Sequence, residues 1–590
     1  MTDSRTQHLS FPRWGSTATV VALSVASSIT NLRNTFVQDD LPIISTNVLV
    51  HSLRIWQLFT QAYWPSPYPR ELYRPLTSSM FAFEWALGGG HPLAFRIVSV
   101  VLYLIATLAV YELAKRVLSP GAAWLAAAFF AVHPVHVEAV AVAVNQAELV
   151  VGALLAIMMT AYIDRRRSGR PLTAGWIVTM TIGYFVAALF KEHALLLPAL
   201  MIAAELTVLR GLRPRGDGVA PSAEDARARG DGVAPYGAPL RTFYLALVLA
   251  AVSFIGIRNA ALGGDIKGSF TAEALTDLSF GGRALTMLGV VPEWVRLFLW
   301  PAHLQADYSP GEIVAATHWG LAQTLGAALL VGAIWLAWAC RVRRPTVTFG
   351  ILWIGVGLAL VSNMIIPTGI VLAERTLFLA TIGVVIAGSD LLWDAGSAIY
   401  RRGSLGRIVA VCGLALLLGM GAFKSAMRQR VWYDLASLWY QTVIDAPLSY
   451  RARQAYGAVL YSAKMEGSAA KQYQMAIEIY PYAWPLLLDY ADKLRERNHC
   501  DAAIKYYKMV LKLTPQQGGP RASEIACLVY TGKYAEAVSE ARIGGGYGIQ
   551  TGTFGLYKQI ADSALRVNAP AGTVILPPPI DSLPTALKKP

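Results

Sequence analysis

The stretch PLAFRIVSVVLYLIATLAVYELA, residues 92–114, decides the class of fold to which this sequence belongs. As an α-helix, these 23 residues would extend about 34 Å, which is enough to cross the roughly 30 Å of hydrocarbon in a bilayer. Ten further near-uncharged stretches occur at 14–32, 120–139, 142–163, 173–190, 193–210, 241–262, 317–340, 346–366, 374–396 and 407–424. The sequence therefore predicts an all-α, polytopic membrane protein with about eleven transmembrane helices.

The overall composition agrees with a membrane protein. Of the 590 residues, 55% are hydrophobic and only 15% are charged, and the mean hydropathy is +0.44. Soluble domains carry about 25% charged residues, and disordered chains carry fewer aromatic residues than the 10% found in this chain. The formal net charge of +14 comes mostly from loops between the apolar stretches. We therefore expect the lipid bilayer to be a partner and nucleic acid not to be one.

The basic loops also predict the orientation of the chain. They fall between alternate pairs of predicted spans, so the positive-inside rule places them in the cytoplasm. With eleven spans, the amino terminus is then cytoplasmic, and the loops at 33–91 and 263–316 and everything after 424 lie outside. The apolar stretch 285–301 is interrupted by Pro292, Glu293 and Arg296, and counting it as a span would break this alternation. We interpret it as an interfacial or re-entrant helix.

Two further features of the sequence are the cytoplasmic loop 211–239 and the first apolar stretch. The loop 211–239 contains RGDGVAP twice, at 215–221 and 229–235, and is interpreted as a flexible linker. The first apolar stretch lacks a small-residue cleavage site, so we expect it to be retained as a span.

The region after residue 424 has a repeat of its own. Ala469, Ala503 and Ala537 recur at an interval of 34 residues, as do Pro481 and Pro515, and 34 residues is the tetratricopeptide period. We predict a membrane domain at 1–424, a tetratricopeptide α-solenoid at 425–570 that begins near Trp432, and a Pro-rich tail at 571–590. All four cysteines are interpreted as packing residues, although two of them, Cys500 and Cys527, could meet in an oxidising compartment.

Ionisable residues at the ends of predicted spans point to a site, because such residues are costly near a bilayer. They gather on the predicted outer face in six segments, which contain Asp39, Asp40, Arg74, His133, His136, Glu138, Lys191, Glu192, Asp307, Tyr308, Glu374 and Arg375. Acids with nearby cations suit a reaction on an anionic lipid head group, since the acid accepts a proton and the cations hold phosphate. Each motif alone could instead be a helix cap, a packing histidine or an internal ion pair.

The sequence does not require a metal ion. The spacing in His133-Pro-x-His136-x-Glu138 is not that of the helical HExxH zinc motif, and Pro134 breaks the geometry that would place both imidazoles on one helix face. The neighbouring acids Asp39 and Asp40 could hold Mg or Mn through oxygen ligands.

Several motifs together resemble a known family. DDLPIISTN (39–47), YRPLT (73–77), FAVHPVHVEAV (130–140), FKEHALLLP (190–198), WPAHLQADYS (300–309) and SNMIIPTGIVLAERTLFL (362–379) occur in the order typical of the transmembrane-and-tetratricopeptide O-mannosyltransferases. That family is similar to the GT-C glycosyltransferases, which take a sugar from a polyprenyl-phosphate carrier on the non-cytoplasmic face.

The resemblance implies an inverting displacement at the anomeric carbon. It places the catalytic base on Asp39, with Asp40 as the alternative, and the donor phosphate against Arg375, Lys191 and Arg74. The remaining outer-face residues would line the donor or acceptor site: His136 and Glu138 would orient the sugar or tune the base, and Asp307 and Tyr308 would line the acceptor channel.

The sequence departs from the family at one motif. The family has Gly-Arg followed by an acid where this chain has Asn145-Gln146-Ala147-Glu148, and this change affects either the donor identity or the way its phosphate is held. The short repeat array and compact size resemble bacterial proteins, which implies undecaprenyl phosphate as carrier and a bacterial inner membrane with the site on the periplasmic side.

Three functions remain open from the sequence. The first is transfer of mannose or a similar hexose to protein Ser/Thr hydroxyls, with the acceptor held by the repeats. The second is transfer to an envelope glycan or lipid, and the third is a non-catalytic membrane scaffold that docks envelope proteins. A transporter fits less well, because its ionisable residues should extend through the midplane.

Overall fold

The computed structural model describes residues 13–66, 68, 70–210, 237–264, 271–276, 278–548 and 551–577. Throughout these ranges the regular secondary structure is helical, and no β-strand forms. Most of the predicted linker at 211–239, both RGDGVAP copies and the tail beyond 577 lie outside the described residues. The chain divides into two compact units, one made of 1–308 and 313–441 and the other of 309–312 and 442–590.

The first unit contains the apolar helices. They are α1 (Arg13–Ser28), α2 (Val48–His51), α3 (Ile55–Leu58), α4 (Pro75–Gly88), α5 (Pro92–Val117), α6 (Pro120–Val132), α7 (Val137–Ala141), α8 (Gln146–Arg167), α9 (Ala174–Phe190), α10 (Leu197–Leu206), α11 (Gly237–Leu262), α12 (Phe280–Leu299), α13 (Leu321–Cys340), α14 (Pro345–Ala359), α15 (Phe378–Tyr400) and α16 (Ser404–Gln429). A further helix, α17 (Leu435–Asp445), crosses the boundary between the units.

Six helical segments of the described chain are long and apolar enough to cross a membrane. They are Pro92–Val117, Ala143–Arg167, Pro239–Leu262, Leu321–Cys340, Glu374–Tyr400 and Ser404–Trp432. A seventh would be the pair Pro120–Val132 and Pro134–Ala141, which is bent by 48° at His133 because Pro134 cannot continue the hydrogen bonding of α6. Two shorter helices, α9 and α14, are also apolar. The protein is therefore an integral, multi-pass membrane protein, while the number eleven stays a prediction.

The core of this unit is held by close contacts between small residues. A Cβ atom added to Gly350 of α14 would lie 2.5 Å from the carbonyl oxygen of Gly383 in α15, and one added to Gly383 would lie 2.4 Å from the carbonyl oxygen of Gly350. Only glycine allows two helix backbones to approach so closely, which is typical of helix packing in membranes. These contacts hold the second turn of α15 against α14.

The second unit is made of helix pairs that recur at the predicted interval. The first helices of the pairs are α18 (Tyr450–Ser462), α20 (Trp484–Glu496) and α22 (Gly518–Tyr530), and the second helices are α19 (Glu466–Ile479), α21 (Cys500–Leu513) and α23 (Tyr534–Gly546), followed by α24 (Thr551–Arg566). Each series begins at 34-residue steps, and the recurring alanines Ala469, Ala503 and Ala537 are all fully buried. Small residues at these positions let paired helices pack closely.

The boundary of the repeats differs from the predicted one. The helix α16 continues through residue 424 to Gln429, and Trp432 is buried with Val37 and Ile44 in the core of the first unit. The first pair begins at Tyr450, so the segment after 424 belongs to the membrane unit until Gln441. A large buried aromatic side chain ties the end of α16 to the first outer loop.

The interpretation of all four cysteines as packing residues is wrong for two of them. Cys500, at the start of α21, forms a disulfide with Cys527 of α22, whereas Cys340 and Cys412 are free thiols. Disulfides persist in oxidising compartments, so this bond favours a non-cytoplasmic location for the second unit.

Alkylation tests this disulfide. In the denatured, unreduced protein we expect two thiols to react, those of Cys340 and Cys412, and after reduction we expect four. Replacing Cys527 by Ser should lower the stability of the second unit by about 3 kcal/mol, since closing a loop of this length restricts the unfolded chain. Cys340→Ser is the matched control and should leave it unchanged. Four reactive thiols before reduction would contradict the bond.

A buried carboxyl makes the third helix pair sensitive to pH. Glu524 of α22 is 1% exposed, and neither of its carboxylate oxygens has a hydrogen-bond partner among the described residues. Burial raises the pKa of Glu524 to about 7, and the charge of Glu540 acts in the same direction. Because the folded pKa is raised, the neutral carboxyl is favoured in the folded unit, and its contribution to stability is lost as the pH rises through 7.

We therefore expect Glu524→Gln to stabilise this unit at pH 8 and to have little effect at pH 5. The difference from the ordinary pKa corresponds to about 3 kcal/mol at most. The measurement is hydrogen exchange of residues 518–546 in the full chain as a function of pH. The exposed Glu478 offers a control, since Glu478→Gln should not alter the pH dependence. Equal protection at pH 5 and pH 8 in the wild type would be inconsistent with this expectation.

Candidate functional site

Asp40 and Arg96 form a fully buried ion pair behind the first outer loop. The guanidinium of Arg96 donates to Oδ2 of Asp40 over 2.9 Å, and both side chains have no exposed surface. Oδ1 of Asp40 accepts from the backbone N–H of Val144 over 3.0 Å. Arg96 also donates to the carbonyl oxygens of Thr35 and Ala141. Both oxygens of Asp40 are thus already engaged, which suits a structural role better than that of a base.

Asp39 has different surroundings. Its carboxylate is partly exposed, and it makes no hydrogen bond or ion pair with any described residue. Burial raises the pKa of Asp39 above its ordinary value, and the charges of Asp40 and Glu138 act in the same direction, whereas Arg375 and Arg74 lower it. Of the two neighbouring acids, Asp39 is the one available to a ligand.

Three ion pairs form a group with Asp39 in the membrane unit. Arg375 donates through its guanidinium and its backbone N–H to the two carboxylate oxygens of Glu138. Arg74 binds both oxygens of Glu192, over 3.0 and 2.5 Å. Lys191 donates to Glu148 over 2.5 Å, and both of these side chains are nearly buried.

The pairs are close enough to one another to interact electrostatically. Arg375 interacts with Asp39 and Glu148, and Arg74 interacts with Glu148 as well as with its own partner. Although burial acts in the opposite direction, Arg74 lowers the pKa of Glu192 well below its ordinary range. Burial lowers the pKa of Lys191, which Glu148 partly offsets. The structure thus brings together five of the six predicted segments, with Asp39, Arg74, Glu138, Lys191 and Arg375 in one group.

Tyr63 belongs to the same group, and the sequence analysis missed it. Its ring lies under the guanidinium of Arg74, 5.1 Å from the ring centroid to Cζ. The residue is buried, and its hydroxyl lies 3.5 Å from the carbonyl oxygen of Val144. A cation over an aromatic face is held in place without losing its charge.

The two histidines of the HPxHxE motif do not join this group. His133 contacts the carbonyl oxygen of Phe298 through Nε2 over 3.0 Å and accepts from the N–H of Val135 through Nδ1. His136 lies between the hydroxyls of Tyr103 and Thr381, at 3.1 and 2.7 Å. All four ring nitrogens have protein partners, so these imidazoles pack the bend after α6. The geometry gives no support to the predicted role of His136 in orienting the sugar or tuning the base, or to that of His133 in the donor or acceptor site.

Glu374 fixes the position of the loop that contains Gln305 and Tyr308. One carboxylate oxygen of Glu374 accepts from the backbone N–H of Gln305 over 2.6 Å and from the hydroxyl of Tyr308 over 3.1 Å. Glu374 therefore anchors the second outer loop to the start of α15, directly beside Arg375. Asp307, in the same loop, is partly exposed.

No group of three or more His, Cys, Asp or Glu residues within the described ranges is arranged to hold a metal ion. The predicted pair of neighbouring acids does not provide two free carboxylates, because Arg96 and Val144 occupy Asp40. Of these two acids, Asp39 is the one whose carboxylate is free for an oxygen ligand.

Comparison with known proteins agrees with the motifs. Residues 73–212 match the family model described as dolichyl-phosphate-mannose-protein mannosyltransferase. The human protein O-mannosyl-transferase TMTC1 is 25% identical over 507 residues, covering 81% of this chain and 57% of the relative. The Mus musculus TMTC3 enzyme is 23% identical, covering 82% of this chain and 53% of the relative. The chain is similar to protein O-mannosyl-transferases. It spans between one half and three fifths of the length of these relatives.

Solved structures give a weaker likeness. The oligosaccharyltransferase of Archaeoglobus fulgidus, tethered with an acceptor peptide, matches with a TM-score of 0.40 and 12% identity over 73% of this chain and 56% of that chain. The archaeal oligosaccharyltransferase AglB from Archaeoglobus fulgidus, in complex with an inhibitory peptide and a dolichol-phosphate, matches with a TM-score of 0.40 and 13% identity over 70% of this chain and 55% of that chain. These scores are too low to carry an argument about the mechanism.

The departure from the family motif does not fall at Arg74, Lys191 or Arg375. Gln146 is fully buried and donates to Glu84, to the carbonyl oxygen of Phe95 and to the hydroxyl of Ser99. Burial raises the pKa of Glu84 to about 8, so a neutral carboxyl faces a neutral amide at this position. The change from arginine is therefore absorbed between α4 and α5, while the acid of the motif, Glu148, remains in the site.

Glu148 and Arg96 could have been found from the sequence. Each is an ionisable residue inside a predicted span, at 142–163 and 92–114, and the rule that selected the outer-face residues applies equally to them. Their partners could not have been found, because Lys191 and Asp40 are far away along the chain.

Substitutions distinguish the two neighbouring acids. Asp40→Asn should destabilise the membrane unit by about 3 kcal/mol, because it leaves the buried charge of Arg96 without its counter-ion. Asp39→Asn should leave the stability unchanged or raise it, because the raised pKa means that the ionised side chain is costly in the folded protein. Thermal unfolding in detergent measures both variants. The reverse order of stabilities would assign the structural role to Asp39.

Proposed function

We propose that this protein is a membrane glycosyltransferase that transfers mannose or a similar hexose from a polyprenyl-phosphate carrier to a hydroxyl group, with protein Ser/Thr as the acceptor class. The observation that carries the proposal is a free carboxylate, Asp39, near Arg74 and Arg375, with Lys191 next to Arg74 in the same group of ion pairs. The similarity to protein O-mannosyl-transferases supports the same conclusion. A scaffold would not need an unpaired acid beside three cations.

The reaction would be a single displacement with inversion. The acceptor hydroxyl attacks the anomeric carbon, its proton passes to the carboxylate of Asp39, and the bond between the anomeric carbon and the phosphate oxygen breaks. A positioned base typically contributes about 10²- to 10⁴-fold to such a step. The raised pKa makes Asp39 a stronger base than an exposed aspartate.

The leaving phosphate gains negative charge as this bond breaks, so cations beside it stabilise the transition state more than the ground state. Arg375 is the first candidate, since a guanidinium can bind two phosphate oxygens. It would exchange part of its contact with Glu138 for the phosphate. Lys191 and Arg74, placed by Glu148 and Glu192, would bind the remaining oxygens.

The location of the site belongs to the same proposal. The basic loops favour a non-cytoplasmic site, and the disulfide of the second unit favours an oxidising compartment on the side of the repeats. We propose a bacterial inner membrane with a periplasmic site, undecaprenyl phosphate as the carrier, and helix pairs 450–546 as the surface that holds the protein acceptor.

Transfer of radiolabelled sugar from mannosyl-phosphoryl-undecaprenol to cell-envelope extract tests the function, with the glucose and arabinose donors in parallel. Asp39→Asn should lower the rate at least 10²-fold while the protein stays folded. Wild-type activity should rise with pH through the raised pKa of Asp39. Arg375→Gln, which removes a charge that lowers this pKa, should move the rise to higher pH.

The control variant is Glu112→Gln, which should retain full activity. Glu112 lies near the end of α5, whereas Arg96 lies near the start of that helix. Full activity of Asp39→Asn would show that Asp39 is not the base. Absence of transfer from every donor by folded wild-type protein would refute the enzyme and favour the scaffold. Label recovered in glycan or lipid and not in protein would identify the other acceptor class.

A further inference from the structure

The charges of the site leave no positive charge for an anionic ligand. Three cations, Arg74, Lys191 and Arg375, are each paired with a carboxylate, and ionised Asp39 is a fourth acid, so these seven side chains together carry one net negative charge. The Asp40 and Arg96 pair adds nothing to this balance. A sugar phosphodiester brings a further negative charge, and the phosphate monoester left after transfer carries up to two. Binding of the anionic donor is therefore favoured if a group of the site gains positive charge.

His193 lies beside these ion pairs and has no partner. It is 6% exposed, and neither Nδ1 nor Nε2 makes a hydrogen bond among the described residues. Buried polar atoms in folded proteins nearly always have partners, so an imidazole with two unpaired nitrogens calls for a ligand. His193 follows Lys191 and Glu192 directly in the chain, and it interacts electrostatically with Glu148 and Arg74.

The elements packed around His193 offer few other titratable groups. The short helical turn Glu192–Leu196, which contains His193, packs against α8, α9, α10 and α14. The first turn of α8 contributes Glu148, and its other ionisable residues lie in its last two turns. In α9 the ionisable group is Tyr184, whose hydroxyl donates to the carbonyl oxygen of Leu195. In α10 it is Glu205, which pairs with Arg166. The helix α14 has no ionisable residue. The charges that face the imidazole are therefore those of the site itself.

We propose that His193 takes up one proton from solvent when a polyprenyl-phosphate sugar binds, and that its imidazolium donates an N–H to a phosphate oxygen. This inference rests on the proposed function. Phosphate oxygens only accept hydrogen bonds, and a protonated imidazole has two donors where a neutral one has one. Burial without a partner favours the neutral ring before binding, and an adjacent phosphate favours the charged ring afterwards. The added proton cancels the net negative charge of the site.

Protonation of Asp39 would cancel the same charge but would remove the base. Lys191 and the two arginines already carry their charges. Among the described residues of this site, His193 is therefore the group that can gain a positive charge without removing the base that the reaction needs. The histidine acts as a binding residue for the donor and for the carrier phosphate that leaves.

Isothermal titration calorimetry of the full chain in detergent measures the proton uptake. Mannosyl-phosphoryl-undecaprenol is titrated at pH 7 in buffers of different ionisation enthalpy, with farnesyl phosphate as a second ligand that carries phosphate without sugar. The wild type should take up close to one proton per donor bound, and its dissociation constant should rise by up to about tenfold per pH unit above neutrality. His193→Gln should take up none and should bind with an affinity that hardly depends on pH.

Matched variants assign the proton to one residue. Asp39→Asn should retain most of the uptake, because the phosphate of the ligand still brings a negative charge next to His193. His193→Lys, with a permanent charge, should bind the donor without uptake. The exposed His318→Gln should behave like the wild type, and thermal unfolding checks that each variant is folded.

The outcomes separate this inference from the proposed function. Wild-type protein that neither binds nor transfers the sugar would refute the function itself. Wild-type protein that binds and transfers without proton uptake, or only with added Mg or Mn, would overturn the role of His193 and leave the function standing. The role of His193 would also be overturned, and the function would still stand, if His193→Gln kept the proton uptake or if Asp39→Asn lost it.

Discussion

The buried pair of Asp40 and Arg96 is the interaction on which the outer face of the membrane unit depends. Arg96, in the first turns of α5, binds backbone carbonyls at Thr35 and Ala141, and Asp40 binds the backbone at Val144. One ion pair thus joins the first outer loop to both sides of the break between α7 and α8. The side chain of Asp39, one residue away, is placed by this contact without taking part in it. Removing either charge would leave the other uncompensated in an apolar core.

Charge pairing in a low-dielectric environment constrains everything else in the site. A cation next to the membrane core cannot be kept bare, so Arg74, Lys191 and Arg375 each carry a carboxylate partner. These partners position the cations before a ligand arrives, which lowers the cost of reorganisation during a reaction. Because each of these cations is paired, an anionic ligand must either displace a carboxylate from its cation or bind together with a proton. The unpaired imidazole of His193 is the feature that agrees with the second route.

The sequence predicted the residues that gather at the site better than it predicted their roles. Asp39, Arg74, Lys191 and Arg375 lie together because ionisable side chains at the ends of spans must meet one another at the membrane face. His133 and His136 were selected by the same rule, yet both rings are held by protein partners within the bend of α6. The rule identifies a residue type and a depth in the membrane, and it does not indicate which way a side chain points.

By itself, the sequence determined the all-α class, the multi-pass membrane character and the 34-residue period of the second unit. These properties depend on hydrophobicity and spacing along the chain, which are local. Only the tertiary structure decided that Asp40 is structural and Asp39 free, that Cys500 meets Cys527, and that each cation has its own carboxylate. Those facts depend on contacts between distant segments, since the energy of a buried charge is set by the partner it finds in space.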